Sequence, residues 1–180
     1  MRTVWVIFLA VGVACSSKKA DENESLTKKI EYTIVKVFPH DTKAFTQGLV
    51  VHEGQLLEST GQNGTSWIAE VEITTGKQEK KVELDKQYFG EGITVLNNKI
   101  FQLTWKSKVG FIYNLDYKKI GEFTYNREGW GITQNGVDLI VSDGSDKLYF
   151  LDSATQAVKK TLPVTDNGIA VNNLNELEFI

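Results

Sequence analysis

Three short stretches of this chain are near copies of one another, and this repetition restricts the possible folds more than any other feature. Gln47-Gly48-Leu49, Glu91-Gly92-Ile93 and Trp130-Gly131-Ile132 align, and the residues after each fall into step. Each triplet opens an apolar strand (Leu49-Val50-Val51, Ile93-Thr94-Val95, Ile132-Thr133) and crosses a turn at Glu53-Gly54, Asn97-Asn98 or Asn135-Gly136. The chain then returns as Leu56-Leu57-Glu58, Ile100-Phe101-Gln102 or Leu139-Ile140-Val141. This is one hairpin written three times, and a fourth copy begins at Asn175-Glu176-Leu177. Steps of 44, 39 and 45 residues separate Gln47, Glu91, Trp130 and Asn175, within the roughly 40–50 residues of a β-propeller blade.

A second hairpin follows each first one. Residues 66–73 (SWIAEVEI) turn at Thr74-Thr75-Gly76-Lys77 and return as Lys81-Val82-Glu83-Leu84. Residues 109–115 (VGFIYNL) turn through Asp116-Tyr117-Lys118-Lys119 and return as Ile120-Gly121-Glu122-Phe123. Residues 147–151 (KLYFL) turn through Asp152-Ser153-Ala154-Thr155 and return over 158–162. Two hairpins give four strands per unit, as a blade demands. No sustained i, i+3, i+4 apolar stripe occurs, so the expected class is all-β with almost no helix. Residues 30–38 (IEYTIVKVF) alternate apolar and polar side chains with a β-branched bias, which predicts a half-buried strand ended by Pro39. In a closed propeller such a strand completes the last blade and needs a partner from the far C-terminus. Residues 30–180 thus read as a partial propeller of about three complete four-stranded blades plus the start of a fourth. A ring needs at least four blades; the expectation is a C-terminally truncated piece of a longer reading frame, with closure by association as the other route.

The first residues belong outside the fold. Residues 4–13 form an apolar run too short to span a bilayer, and Gly12-Val13-Ala14 supplies small residues for signal cleavage, so residues 1–14 read as a signal peptide. Cys15 follows at once, and the pattern resembles a bacterial lipoprotein signal in which that cysteine is lipidated; ordinary secretion is the alternative. Residues 15–29, polar and without aromatics after Cys15, cannot bury enough surface to order themselves and read as a tether. This places the domain at the bacterial cell envelope, facing the periplasm, with the membrane reached by the lipid anchor only.

Composition removes several function classes. A net charge of −3 suggests no nucleic-acid partner, and nothing in the sequence sets an oligomeric state. Two histidines and one cysteine leave too few ligands for an ordinary catalytic zinc and none for an internal disulfide. No metal or other cofactor is therefore expected.

The repeat also nominates a site. The innermost strand of each blade lines the central channel, and the equivalent slot at its start holds Gln47, Glu91, Trp130 and Asn175. Packing alone would favour one residue type, whereas this slot holds an amide, a carboxylate, an indole and another amide. Facing one axis, they would form a polar pocket with an aromatic wall; as strand caps, they would only satisfy backbone groups.

Phe45-Thr46-Gln47-Gly48-Leu49, Glu58-Ser59-Thr60-Gly61, Phe89-Gly90-Glu91-Gly92-Ile93-Thr94, Gln102-Leu103-Thr104-Trp105, Gly129-Trp130-Gly131, Ser142-Asp143-Gly144-Ser145 and Leu174-Asn175-Glu176-Leu177-Glu178 follow in order along residues 30–180. Together they resemble the motif series of the plant and bacterial type glutaminyl cyclases (glutaminyl-peptide cyclotransferases). The resemblance implies a five-bladed propeller unrelated to the zinc-dependent animal enzymes. It implies a peptide or protein substrate with an N-terminal glutamine, whose α-amine attacks its own γ-carboxamide to give pyroglutamate and ammonia. Glu91 is then the general base and acid. Gln47 and Asn175 orient the amine and polarise the γ-carbonyl, while Phe45, Phe89, Trp105 and Trp130 bind the substrate and exclude water; inter-blade packing is the alternative for each aromatic, weaker for the two tryptophans because an indole N–H needs a partner when buried. A pocket tryptophan and a lysine that the family supplies from its last blades have no counterpart in this sequence. The competing readings are a non-catalytic propeller that binds envelope proteins or peptides, and an inactive fragment of the enzyme.

Overall fold

The computed structural model describes residues 30–180; the leader (1–14), Cys15 and the tether (15–29) lie outside the described residues. Three four-stranded antiparallel sheets follow one another, each with its strands in chain order. The first comprises β1 (Thr46–His52), β2 (Gln55–Thr60), β3 (Trp67–Glu72) and β4 (Lys77–Glu83). The second comprises β5 (Gly90–Leu96), β6 (Lys99–Thr104), β7 (Val109–Asn114) and β8 (Lys119–Thr124). The third comprises β9 (Ile132–Gln134), β10 (Asp138–Ser142), β11 (Lys147–Asp152) and β12 (Val158–Pro163). No helix occurs among the described residues.

Local chemistry explains the hairpins. Glu53 and Gly54 (φ 49° and 80°) and Asn97 and Asn98 (φ 53° and 57°) take the left-handed conformations that a two-residue hairpin turn requires. They pair His52 with Gln55 and Leu96 with Lys99. The turn before β10 is longer, with the Asn135 carboxamide oxygen accepting from the N–H groups of Val137 and Asp138.

The sheets stack through their faces. β1, β5 and β9 lie side by side at the inner edge. Leu57, Ile68, Ile93, Ile100 and Phe111 form a core between the first and second sheets, and Phe101, Leu103, Ile132, Leu139 and Val141 form one between the second and third. The middle sheet is covered on both faces, so every residue of β5 is buried, whereas β12 is exposed along its whole length.

Glycines set the spacing at the inner edge. A Cβ on Gly48 would lie 2.7 Å from Ile93 N and 2.9 Å from Gly92 Cα; one on Gly92 would meet Ile132 N at 2.7 Å and Gly131 Cα at 3.0 Å. One on Gly131 would lie 2.2 Å from Asn175 O and 2.8 Å from Glu176 Cα. The second residue of each triplet therefore abuts the same position of the next copy, and residues 175–176 take the fourth place in that series.

Two expectations need correction. Residues 30–38 form no strand: they are exposed apart from half-buried Phe38, with Val35 94% accessible. Alternation favours an extended backbone, but a strand needs a hydrogen-bonded neighbour, and no described strand pairs with this segment. The fourth copy also forms no strand. Residues 171–180 are irregular, preceded by a short hairpin of β13 (Thr165–Asp166) and β14 (Ile169–Ala170) around Asn167 and Gly168.

Candidate active site

Gln47 and Glu91 reach the inner edge by the same device. The register of β1 against β2 slips between Thr46 and Gly48, and that of β5 against β6 slips between Gly90 and Ile93. Each slip is a β-bulge, which turns a side chain out of the strand's alternation. Phe45, Gln47, Phe89, Glu91, Trp105, Trp130 and Asn175 together line one cleft of about 250 Å3. The four residues nominated by the repeat and the three further aromatics nominated by the resemblance thus line one cleft, while Cys15 lies outside the described residues.

The aromatic wall is continuous. Phe45 meets Phe89 edge-on with ring centres 6.1 Å apart, and Phe89 lies 5.4 Å from Trp105. Gly61 leaves room for the Phe89 ring, since a Cβ there would lie 2.3 Å from it. Gly144, at φ +79° between β10 and β11, does the same for Trp130, with 2.6 Å to the indole.

Glu91 is held from both sides by a buried polar relay. The Tyr113 hydroxyl donates to Gln102 Oε1 (3.1 Å), Gln102 Nε2 donates to Ser59 Oγ (2.9 Å), and Ser59 Oγ donates to the Glu91 carbonyl (2.5 Å). Ser66 Oγ accepts the N–H of Gly90 at 3.0 Å. The first sheet therefore fixes the backbone of a residue in the second. Ser59→Ala is expected to lower stability by about 1–3 kcal/mol, because Gln102 and the Glu91 carbonyl each lose a buried partner. A fall in the urea midpoint would show it.

Glu91 is 6% exposed, and its carboxyl group makes no hydrogen bond to a side chain or backbone group among the described residues. Burial first, and the nearby Glu128 carboxylate second, push its pKa from the ordinary 4.5 up to about 8. Glu128 behaves oppositely: the N–H of Trp130, and then that of Trp105, hold its carboxylate below the usual range. Desolvation, then Glu178 and Glu91, also lift Glu176 to about 8. Glu176 is exposed as a residue, however, and does not line the cleft. Glu91 is the carboxyl group placed to exchange protons with a molecule in the cleft near neutral pH.

A family model described as glutamine cyclotransferase matches residues 6–180. The chain belongs to the glutamine cyclotransferase family. Over 153 residues it is 42% identical to the glutaminyl-peptide cyclotransferase of Arabidopsis thaliana, covering 83% of this chain and 48% of that protein. The glutaminyl cyclase of Myxococcus xanthus superposes with a TM-score of 0.77 at 30% identity, covering 82% of this chain and 63% of the other. The WD40 repeats of RRP9 match at 12% identity with a TM-score of 0.53, over 68% of this chain and 40% of that one, a likeness of propeller-type fold alone. The chain spans about half the length of the curated relative it matches. Among the described residues, no group of three or more His, Cys, Asp or Glu is placed to hold a metal ion.

Sequence reading missed one member of this glutamine cyclotransferase cleft region, Glu128. Its Oε2 accepts from Trp105 Nε1 at 2.6 Å and from Trp130 Nε1 at 3.0 Å. A signal for it was present. Two residues before the aligned slot, the first and second copies carry Phe45 and Phe89, and the third carries Glu128.

Proposed function

We propose that this chain carries the reaction centre of a glutaminyl-peptide cyclotransferase, converting the N-terminal glutamine of a peptide or protein to pyroglutamate with release of ammonia. The observation that carries the reading is the protonatable, buried Glu91 facing a cleft with two amides and an aromatic wall.

The α-nitrogen forms a bond to the γ-carboxamide carbon, and the bond from that carbon to the amide nitrogen breaks. Ring closure is intramolecular, so holding the side chain in its reactive fold supplies much of the rate. Glu91 takes the proton that the attacking nitrogen must lose and gives one to the departing nitrogen, which leaves as ammonia. Gln47 and Asn175 orient the amine and polarise the γ-carbonyl as its oxygen gains charge. Phe45, Phe89, Trp105 and Trp130 keep out water, the competing nucleophile. These steps run on side chains without a metal.

The architecture that goes with this reading is a five-bladed ring of which the three four-stranded sheets are three blades, with residues 175–176 continuing the inner-edge series without forming a strand. Coverage of 63% of the Myxococcus chain agrees with that share. The leader, Cys15 and the polar tether support a lipid-anchored location at the bacterial envelope, facing the periplasm.

The test is incubation of the full-length protein with a glutamine-initiated peptide. The expected product is lighter by about 17 Da, the ammonia lost on ring closure. Asn175→Ala is expected to lower kcat by about 100-fold, the effect of removing one donor to a developing oxyanion. No mass change would remove the cyclotransferase reading, and an unaltered kcat in Asn175→Ala would remove that residue's role.

A further inference from the structure

We infer that Glu128 is a positioning residue that pins the two indole walls of the cleft through one carboxylate oxygen, so that Trp105 and Trp130 meet the substrate with ring faces only. The inference rests on the cyclotransferase reading above and deepens it. Trp105 follows β6 in the second sheet and Trp130 precedes β9 in the third, so Oε2 ties together walls that come from different sheets. Glu128 does not line the cleft itself. Gly129 makes the arrangement reachable: a Cβ there would lie 2.8 Å from Thr104 O and 2.5 Å from the Tyr125 hydroxyl, so residues 128–130 press against the end of β6. The ring of Trp130 rests on Gly144, and Lys106 Nζ lies 4.0 Å from the centre of the Trp105 indole.

Two consequences follow. A hydrogen bond to an ionised acceptor is roughly twice as strong as a neutral one, so an oxygen holding two N–H groups fixes both ring planes. Both indole donors are also occupied, which leaves hydrogen bonding to the substrate amide to Gln47 and Asn175. The wall and the proton carrier are further coupled by charge. Glu91 faces Glu128 and Glu176, and its own charge is felt by the Tyr125 hydroxyl; Glu128 faces Lys106 and Asp143, and Glu176 faces Glu178. Removing the Glu128 charge therefore eases ionisation of Glu91.

The experiment compares Glu128→Ala and Glu128→Gln in the full-length protein. Indole N–H resonances are followed in a nitrogen-15 labelled sample and assigned with Trp105→Phe and Trp130→Phe, with Trp67 as reference. In Glu128→Ala the Trp105 and Trp130 resonances are expected to move upfield together, and kcat/KM to fall by about 100-fold, mostly in kcat. Glu128→Gln keeps a carbonyl acceptor of the same size. It is expected to restore most of the ring positions and of the rate, and to shift the pH–rate profile to lower pH.

Movement of only one resonance would overturn the clamp. So would a Glu128→Ala protein with both resonances moved and kcat/KM within about threefold of the parent, since a displaced wall should cost more. If Glu128→Ala does not fold, Glu128→Gln decides: Trp105 and Trp130 indole resonances that stay where they are in the parent would overturn the clamp, because exchanging an ionised acceptor for a neutral one must weaken both bonds. A parent without turnover would remove the cyclotransferase reading, and the resonances alone would then decide whether Glu128 joins the two indoles.

Discussion

Replacing Glu91 with glutamine is expected to lower kcat by about 100- to 10,000-fold while making the folded protein more stable at alkaline pH. Both effects come from one environment. The α-amine of a free N-terminus ionises near pH 7.7–8.0, and Glu91 is pushed up to about 8. Amine and carboxyl therefore share one proton between them near pH 8. That is the reactive composition, because a neutral amine beside a protonated Glu91 differs from an ammonium beside a carboxylate only in where the proton sits. Below that range both groups are protonated and the amine cannot attack; above it both have lost their protons and the departing nitrogen finds no acid. The rate should pass through a maximum near pH 8, with apparent values that belong to the pair. In Glu91→Gln the carboxyl limb vanishes, and the residual rate should rise with pH and level off once the amine is neutral.

The stability effect has a definite sign. Glu91 binds its proton more tightly in the folded chain, at about 8 against an ordinary 4.5. Its cost to folding is absent below about pH 4.5, grows as the pH rises, and is complete above about pH 8, where it is of order a few kcal/mol. The melting temperature of Glu91→Gln should match the parent near pH 4.5 and exceed it increasingly up to about pH 8. A constant difference across that range would mean that Glu91 is not held in an environment hostile to its charge.

The repeat made the cleft legible because a hairpin is specified locally. Glu53-Gly54 and Asn97-Asn98 fix where β1 and β5 turn, and period-two alternation fixes which side chains face the neighbouring sheet. Once three copies are in register, equivalent slots must lie near one another, and Gln47, Glu91, Trp130 and Asn175 do. What escaped depended on partners remote in sequence. Residues 30–38 have the composition of a strand and none to pair with among the described residues. Glu128 is two residues from Trp130, yet its meaning lies in Trp105, a residue of another sheet. The hairpin of β13 and β14 carries an Asn167-Gly168 turn, but two residues on each side are too few to show alternation.

Gly92→Ala is expected to force the second and third sheets apart at the inner edge. Its Cβ would fall 2.7 Å from Ile132 N, 2.8 Å from Trp130 O and 3.0 Å from Gly131 Cα, all of them backbone atoms of the next sheet. A flexible side chain could swing aside; these atoms are tied into β9 and into the hydrogen bond that the Gly92 N–H makes to Trp130 O at 2.9 Å. Relief requires the second and third sheets to part. Overpacking costs about 1–3 kcal/mol and weakening that hydrogen bond about 0.5–1.5 more, a large fraction of the roughly 5–15 kcal/mol that holds a typical domain. Gly54→Ala is the control. Gly54 has φ +80° with no atom within 4 Å of the added Cβ, so it should lose only the roughly 1–2 kcal/mol of a left-handed backbone. Urea midpoints rank the two, and the kinetics go further: parting the sheets carries Trp130 away from Glu91, so molecules of Gly92→Ala that remain folded should still lose about 100-fold in kcat/KM, whereas Gly54→Ala, at the far end of β1, should not. Equal stability and equal rates for the two variants would show that the glycine series does not set the distance between the cleft's walls.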